Sequence, residues 1–234
     1  MRKVHLSLST ITPGVRVTGE RHVRDWIDGW AVSRGAAPPL VEPWGYTIYV
    51  GLAEQVGRHV FDATNDDVRE DDVRKVAGAV TGRGTHLKVF ADRARVVPWL
   101  GAGWEPYGAD DFLMTVGLAP APAPEVPAGY RLHTWARGGV TRVLLTDSDG
   151  TFAARGQVAP VGACATVDQI ETSPDHRRKG LGSVVMRTLH AAAYAQGAVR
   201  GVLACTPAGR LLYESLGWDV VAPLTNAKYV GAVS

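Results

Sequence analysis

Cysteine is scarce in this chain: there are two, Cys164 and Cys205, and they form no CxxC pair. Both lie within apolar runs, and neither is close in sequence to a pair of histidines. A disulfide scaffold and a zinc site are therefore not expected, and we expect the chemistry to need no metal. Each thiol is expected to be buried and reduced.

A long hydrophobic run is also missing. No stretch of about 18 apolar residues occurs, so no membrane-spanning helix is expected. Residues 4–10, Val-His-Leu-Ser-Leu-Ser-Thr, are too short and too polar for the apolar part of a signal peptide. The formal net charge of +2 is too small to predict binding to nucleic acid or to an anionic membrane. We therefore expect a cytoplasmic protein that binds neither.

Proline, in contrast, is present in a regular pattern. Residues 119–129 are Ala-Pro-Ala-Pro-Ala-Pro-Glu-Val-Pro-Ala-Gly, and alternating prolines prevent a helix and remove backbone donors. The 234 residues are enough for one large domain or two small ones. We predict an N-terminal domain over residues 1–118, an extended linker over residues 119–129 and a C-terminal domain over residues 130–234.

Hydrophobic spacing and turn residues predict strands and helices in both halves. Strands are predicted at residues 46–50, 87–90, 112–116, 142–146, 151–155, 163–172 and 201–205, and after residue 218. Helices are predicted at residues 67–80 and 183–196 and, briefly, around 211–213. In the C-terminal half, a hairpin turning at Asp-Ser-Asp-Gly (147–150), a strand–loop–helix–strand unit and a closing strand predict the α/β (α+β) class, with helices packed on a mixed sheet.

The segment that carries chemistry is the loop between the strand ending near Thr172 and the helix beginning at Ser183. It contains three consecutive basic residues followed by Gly-Leu-Gly (177–182). The first N–H groups of a helix lack intrahelical acceptors and lie at the positive end of the helix dipole, so the loop is suited to bind a pyrophosphate. An ordinary turn with exposed arginines is the alternative. The loop matches neither the GxxxxGK[ST] pattern of a P-loop nor the GxGxxG pattern of a Rossmann fold.

Arg177-x-x-Gly180-x-Gly182 resembles the R/Q-x-x-G-x-G/A motif of the GCN5-related N-acetyltransferase (GNAT) superfamily, which holds the pyrophosphate of coenzyme A. Residues 212–218, Leu-Tyr-Glu-Ser-Leu-Gly-Trp, are similar to the family's LYxxLGF/W segment and follow at the expected distance. The resemblance covers about residues 130–230. It implies the GNAT acyl-CoA N-acyltransferase fold, in which a mixed, mostly antiparallel central sheet is flanked by helices.

The resemblance also implies that acetyl-CoA is the co-substrate. Ile170-x-Thr172-x-Pro174 is similar to the family's splayed strand, whose backbone pairs with the pantetheine arm of coenzyme A. Thr206 occupies the position at which many relatives carry an asparagine that contacts the cofactor. The residues implied to bind the cofactor are Ile170, Thr172, Arg177, Arg178, Lys179, Gly180, Leu181, Gly182, Ser183 and Thr206.

Three residues are candidates for catalysis. Tyr213 occupies the position of the family's general acid, and a phenol is a suitable proton donor to the departing thiolate; a packing role under the last strand is its alternative. Asp168 is the first candidate for the base, because strand alternation places it on the same side as Ile170 and Thr172. Glu171, expected on the opposite side, is the second. An acid at either position is equally compatible with solvation of a strand end.

The sequence departs from the family pattern on the substrate side. Residues 130–142 leave no room for the two helices that normally precede the hairpin and help to form the acceptor site. Residues 99–104, Trp-Leu-Gly-Ala-Gly-Trp, loosely repeat the spacing of residues 213–218, which favours a tandem form whose N-terminal domain is degenerate and covers the cofactor domain. Aromatic candidates for an acceptor pocket at the interface are Trp26, Trp30, Trp44, Tyr46 and Tyr49, all of which are equally typical of a core.

Together these features predict an acyltransferase that moves an acetyl group from acetyl-CoA to an amine of a small molecule or peptide, acting as a monomer or homodimer. Two alternatives remain open: a non-catalytic module that binds acyl-CoA, and a protein lysine or N-terminal acetyltransferase. The high content of Ala, Gly, Val and Arg is typical of a GC-rich bacterial source.

Overall fold

The computed structural model describes residues 18–231. Within them lie five α-helices: Gly19–Arg34 (α1), Glu70–Ala79 (α2), Arg93–Val96 (α3), Leu181–Ala195 (α4) and Pro207–Ser215 (α5). The strands are Leu40–Glu42 (β1), Gly45–Leu52 (β2), Gln55–Thr64 (β3), Thr85–Phe90 (β4), Trp104–Gly117 (β5), Tyr130–Arg137 (β6), Val140–Asp147 (β7), Phe152–Val161 (β8), Cys164–Thr172 (β9), Arg200–Cys205 (β10) and Asp219–Tyr229 (β11). Residues 4–10, discussed above as a possible leader, lie outside the described part.

All eleven strands form one sheet in the order β1-β2-β3-β4-β11-β5-β10-β9-β8-β7-β6. Two neighbouring pairs, β3 with β4 and β9 with β10, are parallel, and every other neighbouring pair is antiparallel. Helices α4 and α5 cover one face of the C-terminal half, and α1 packs on the opposite face. The predicted class, a mixed and mostly antiparallel sheet flanked by helices, is confirmed.

The two halves of the chain exchange their last strands. Strand β5 belongs to the N-terminal half but lies between β10 and β11, and β11 lies between β4 and β5. The order strand, helix, strand, helix, strand occurs twice, as β3-α2-β4-α3-β5 and as β9-α4-β10-α5-β11. Residues 119–129 connect β5 to β6 without a helix or strand. Strands from both sides of this linker belong to the same sheet. The division into two domains at residues 118 and 130 therefore stays a prediction.

Helix α1 was missed by the sequence analysis. Its N-terminus is capped by Thr18, whose side chain accepts a hydrogen bond from the backbone N–H of Arg21 at 3.3 Å, and its C-terminus by Gly35 at φ 61°. Glycine is unfavourable inside a helix, and Gly29 weakens the helical signal. A Cβ at Gly29 would lie 2.3 Å from Thr166 Oγ1, so glycine is needed for the close approach of α1 to β9.

The region between the linker and β7 is a strand and a tight turn. β6 pairs with β7 along its whole length, and the connection is Gly138-Gly139, both with positive φ. The expectation that two helices are absent here is therefore confirmed. Helix α1 covers β8 and β9 instead, burying Val23, Ile27 and Trp30 against the sheet. The N-terminal half thus supplies a helix to the C-terminal half.

The exchange of strands predicts that cutting the linker leaves the halves associated. We suggest inserting a site-specific protease sequence between Ala121 and Pro122. After cleavage, β5 retains its hydrogen bonds to β10 and β11, so both fragments are expected to co-elute in size-exclusion chromatography at the position of the uncut chain. In denaturant they are expected to separate. Separate elution of the cut fragments in native buffer would contradict the exchange.

Candidate active site

The site begins with a gap between two parallel strands. Pairing of β9 with β10 runs from Cys164 opposite Arg200 to Thr166 opposite Val202 and then stops, although both strands continue. Backbone N–H and C=O groups along the rest of these strands are therefore left without ladder partners at this edge. Because buried backbone groups are almost always hydrogen-bonded, such a gap is suited to an extended ligand that pairs with the strand.

A bulge in β9 accompanies the gap. Asp168 lies opposite Gln157 and Glu171 opposite Arg155 on β8, so three steps along β9 match two steps along β8. The extra residue is at Gln169, whose φ is 55°. A left-handed backbone at a non-glycine residue is strained, and it is a common feature of functional sites.

The bulge makes the predicted side-chain alternation wrong. Ile170 packs among the core residues under α4, and Thr172 lies opposite the buried Ala154 on that face. Asp168 contacts α1, and Glu171 pairs with Arg155. Asp168 and Glu171 therefore share the α1 face, whereas Ile170 and Thr172 face α4. Strand periodicity cannot reveal this, because one inserted residue reverses every side chain that follows it.

The predicted basic loop borders a groove of about 620 Å³ on the α4 face. Gly180 immediately precedes α4 with φ 77°, and no side chain caps this helix end among the described residues. A Cβ at Gly180 would meet no atom within 4 Å, so glycine is required there for its backbone conformation. The predicted binding residues that line the groove are Ile170, Thr172, Arg177, Arg178, Gly180, Leu181, Gly182 and Ser183.

Two predicted binding residues do not line this groove. Lys179 is exposed beside it, and its Nζ donates to the carbonyl of Asp175 at 3.1 Å. Thr206 lies on the opposite side of the gap, where its hydroxyl accepts a hydrogen bond from the N–H of Gly209 and caps α5. Asp175 and the rest of this loop therefore hold the lysine near, but outside, the opening.

Tyr213 lies where α5 meets the groove. Its side chain is 6% exposed and packs near Trp218, with the ring centroids 6.0 Å apart. Burial, with smaller contributions from the nearby Cys205 and Asp168, raises the pKa of the Tyr213 hydroxyl above its usual value. The phenol therefore stays protonated throughout the neutral pH range.

A second, smaller cavity of about 220 Å³ lies on the α1 face and borders the same gap. Both strands of the gap contribute to it, and so does the N-terminal half. Trp26, Trp30 and Arg34 come from α1, Arg58 from β3, Lys88 from β4, Asp111 from β5, Asp168 from β9 and Asn226 from β11. Of the five aromatic candidates, Trp26 and Trp30 line this cavity. Trp44 packs on Phe61, Tyr46 belongs to the core and Tyr49 is exposed.

Asp168 is held firmly at the wall of this cavity. It accepts hydrogen bonds from Arg34 Nε and Nη2, from Ser33 Oγ at 2.8 Å and from the backbone N–H of Gln169 at 2.9 Å. Ser33 in turn accepts a hydrogen bond from the buried Gln157 amide. Glu171, the second candidate, is about half exposed and pairs with Arg155 at the surface. The two acids thus share a face but differ greatly in environment.

Sequence reasoning missed the buried polar residues that the N-terminal half contributes. Lys88 is 8% exposed; its Nζ donates to Asn226 Oδ1 and, at 2.8 Å, to Tyr107 Oη. Asn226 Nδ2 donates to Asp111 Oδ2 at 2.7 Å. Burial holds the pKa of Lys88 well below its usual range. The available signal was a lysine inside the apolar strand Leu87–Phe90.

The N-terminal half lacks the features that form the groove. Strands β3 and β4 are parallel; their pairing is irregular after Val60 but resumes at the far end, where Thr64 lies opposite Phe90. The helix that follows β3, α2, has Glu70, Asp71 and Asp72 in its first turn, where a pyrophosphate would be repelled. Trp99 stands in the position that matches Tyr213.

Comparisons with known proteins agree with this fold. Residues 111–218 match the model of the acetyltransferase (GNAT) family. The structure resembles a GCN5-related N-acetyltransferase from Kribbella flavida, with a TM-score of 0.61 and 18% identity over 92% of this chain and 96% of that one. It also resembles a GNAT-family protein from Novosphingobium aromaticivorans, with a TM-score of 0.53 and 17% identity over 92% and 98% of the two chains. No curated protein matches the sequence.

The fold of this chain is thus similar to that of the two acetyltransferase-family structures. The family model identifies residues 111–218 as an acetyltransferase (GNAT) domain. Each of these two structures matches 92% of this chain, so the shared architecture includes both halves. Every helix among residues 18–231 is too short or too polar to cross a membrane.

Asp168 and Glu171 are expected to differ in how much they contribute to the free energy of unfolding. Asp168→Asn removes the anionic partner of Arg34, so the free energy of unfolding is expected to fall by about 1–2 kcal/mol, less than for a fully buried pair because Arg34 is partly exposed. Glu171→Gln breaks only a surface ion pair and is expected to change it by less than about 0.5 kcal/mol. Urea unfolding of both variants measures the difference. Equal losses would show that Asp168 has no special structural role.

Proposed function

We propose that this protein is an N-acetyltransferase that moves an acetyl group from acetyl-CoA to the amine of a small molecule. The observation that carries the proposal is the gap between β9 and β10, which has a basic groove on one face and a polar cavity on the other. Tyr213 borders the groove and Asp168 borders the cavity, so a proton donor and a carboxylate lie on opposite sides of one opening.

The groove has the chemistry that an acyl-CoA requires. The unpaired backbone of β9 beyond Thr166 offers donors and acceptors to the amides of a pantetheine arm. The uncapped N-terminus of α4 offers N–H groups to a pyrophosphate, and Arg177 and Arg178 add positive charge beside it. Lys179 lies outside the groove and is proposed to contribute only to the long-range attraction of the anion.

The reaction that we infer is a direct transfer. The neutral amine attacks the thioester carbonyl, the carbon–sulfur bond breaks, and the leaving thiolate takes a proton from Tyr213. The amine loses a proton as the amide forms. We propose that Asp168 receives this proton through water, because its oxygens already accept four hydrogen bonds. Glu171 is assigned to the surface, where it pairs with Arg155.

The cavity on the α1 face supports a small acceptor. Its volume of about 220 Å³ is below the roughly 300–1,000 Å³ typical of drug-sized sites, and α1 closes one side of it. A peptide or protein acceptor would need a longer open groove at this point. Residues from both halves of a single chain line the cavity, so a monomer is sufficient for the proposed reaction. We place this reaction in the cytoplasm.

Binding of acetyl-CoA can be tested without harming the fold. Ser183 lies in the first turn of α4, where a negative charge stabilises the helix dipole but repels a pyrophosphate. Ser183→Asp is therefore expected to leave the melting temperature unchanged or slightly higher and to weaken acetyl-CoA binding, measured by calorimetry, by about 10-fold or more. The matched control is Ser183→Asn, which is similar in shape but uncharged and is expected to bind nearly as well as wild type. Wild type that does not bind acetyl-CoA would refute the proposal.

The role of Tyr213 is tested by removing its hydroxyl alone. Tyr213→Phe keeps the buried ring, so the affinity for acetyl-CoA is expected to be unchanged. The loss of the proton donor is expected to lower kcat by about 100-fold, measured by release of the coenzyme A thiol in the presence of an amine. An unchanged kcat would assign Tyr213 to packing, and an equal loss in acetyl-CoA affinity would assign it to binding.

A further inference from the structure

We propose that the acceptor carries a carboxylate or phosphate group in addition to its amine, and that Arg58 binds this anion. The inference rests on the proposed acetyl transfer and names the class of its acceptor. It is carried by a buried, unpaired cation in the wall of the acceptor cavity.

Arg58 lies in the middle of β3 with its side chain turned into the cavity. The residue is only 7% exposed, and its guanidinium carbon lies 3.5 Å from the ring centroid of Trp30. Nη2 donates to the side chain of Gln55 at 3.2 Å, whereas the buried Nε has no hydrogen-bond partner among the described residues. A buried charge normally has an anionic partner, so this arrangement needs one.

The other charges of the cavity are already engaged. Arg34 and Asp168 form a two-point ion pair. Lys88 and Asp111 are linked through the amide of Asn226, which accepts from the lysine and donates to the acid. Arg58 takes part in no ion pair within residues 18–231. The cavity therefore has one cation in excess.

Burial lowers the pKa of Arg58 to about 10, which still leaves the guanidinium charged at neutral pH. A guanidinium held against an aromatic ring presents its N–H groups in a fixed plane, which suits the two oxygens of a carboxylate or phosphate. Asp168 and the end of β10 line the same cavity. If Arg58 binds the anionic end of an acceptor, the amine at the acceptor's other end would point toward the gap.

The first experiment tests the anion site without any acetyl transfer. Sodium propionate and sodium phosphate are titrated at constant ionic strength against chloride, and the melting temperature is followed. We expect at least one anion to stabilise wild type in a saturable manner and Arg58→Met to lose most of that shift. Methionine keeps a long apolar chain against Trp30 without the charge. The matched control is Arg74→Met, which removes an exposed arginine from α2. Any phosphate that binds the α4 loop contributes equally to all three proteins.

The second experiment compares acceptors that differ only in the anionic group. The pairs are 4-aminobutyrate with 1-aminobutane, and O-phosphoethanolamine with ethanolamine, assayed with acetyl-CoA by thiol release. For at least one pair, kcat/KM is expected to favour the anionic member by about 10-fold or more, and Arg58→Met is expected to remove this preference by raising KM. Arg58→Lys, which keeps the charge but not the planar fork, is expected to retain part of it. Comparison of the two pairs distinguishes a carboxylate from a phosphate.

The outcomes separate this inference from the proposed function. Equal rates for both members of each pair, or an anion-dependent shift that survives in Arg58→Met, would overturn the anion site while leaving acetyl transfer intact. The absence of any saturable anion-dependent stabilisation in wild type would overturn it as well. Failure of acetyl-CoA to bind would refute the transferase, and the melting experiment would still decide whether Arg58 holds an anion.

Discussion

The exchange of β5 and β11 is the constraint on which the rest of the molecule depends. Each of these strands is hydrogen-bonded to its counterpart and to the central strand of the other half, so neither half completes its sheet alone. The exchange fixes β3 and β4 at a set distance from β9 and β10. It thereby brings Arg58 and Lys88 of the first half to the gap in the second half. A flexible linker between two closed domains would leave their relative position undetermined.

The two halves have the same order of elements, but the hydrogen bonding of their parallel strand pairs differs. In the N-terminal half the pairing is interrupted between Val60 and Thr64 but resumes at its end, and acids at the following helix repel an anion. In the C-terminal half the pair separates, and the strain at Gln169 and the unpaired backbone are retained. Backbone groups without partners cost free energy, so this feature is more typical of a ligand site than of a stable scaffold. The gap thus lies in the C-terminal half, and the N-terminal half forms part of the wall of the cavity beside it.

Helix α1 belongs to the N-terminal half but packs beside the gap in the C-terminal half. Besides its apolar packing, the helix makes polar contacts with the C-terminal half: Asp25 pairs with Arg200 of β10, Thr166 donates to backbone carbonyls of the helix, and the Gln157 amide donates to Ser33. Because these bonds are directional, they fix the rotation of the helix as well as its position. The end of α1 therefore presents Arg34 to Asp168, and the preceding turn places Trp30 against Arg58.

The sequence by itself determined the local features. The basic loop, the position of Tyr213, the hairpin at residues 147–150 and most strands depend on neighbouring residues and on short-range periodicity, which a sequence displays directly. It also led to the prediction that the N-terminal half covers the substrate side, which stays a prediction. It did not reveal α1, whose helical signal Gly29 weakens, nor the bulge at Gln169, because a single inserted residue leaves no periodic trace.

Only the tertiary structure decided which distant residues meet. Arg34, Arg58, Lys88, Asp111 and Asn226 lie in five different elements, and each is unremarkable in its own segment except for the lysine in an apolar strand. Their meeting follows from the exchange of strands, which no local pattern encodes. The balance of charges around the cavity on the α1 face depends on these long-range contacts, which no single segment of the sequence displays.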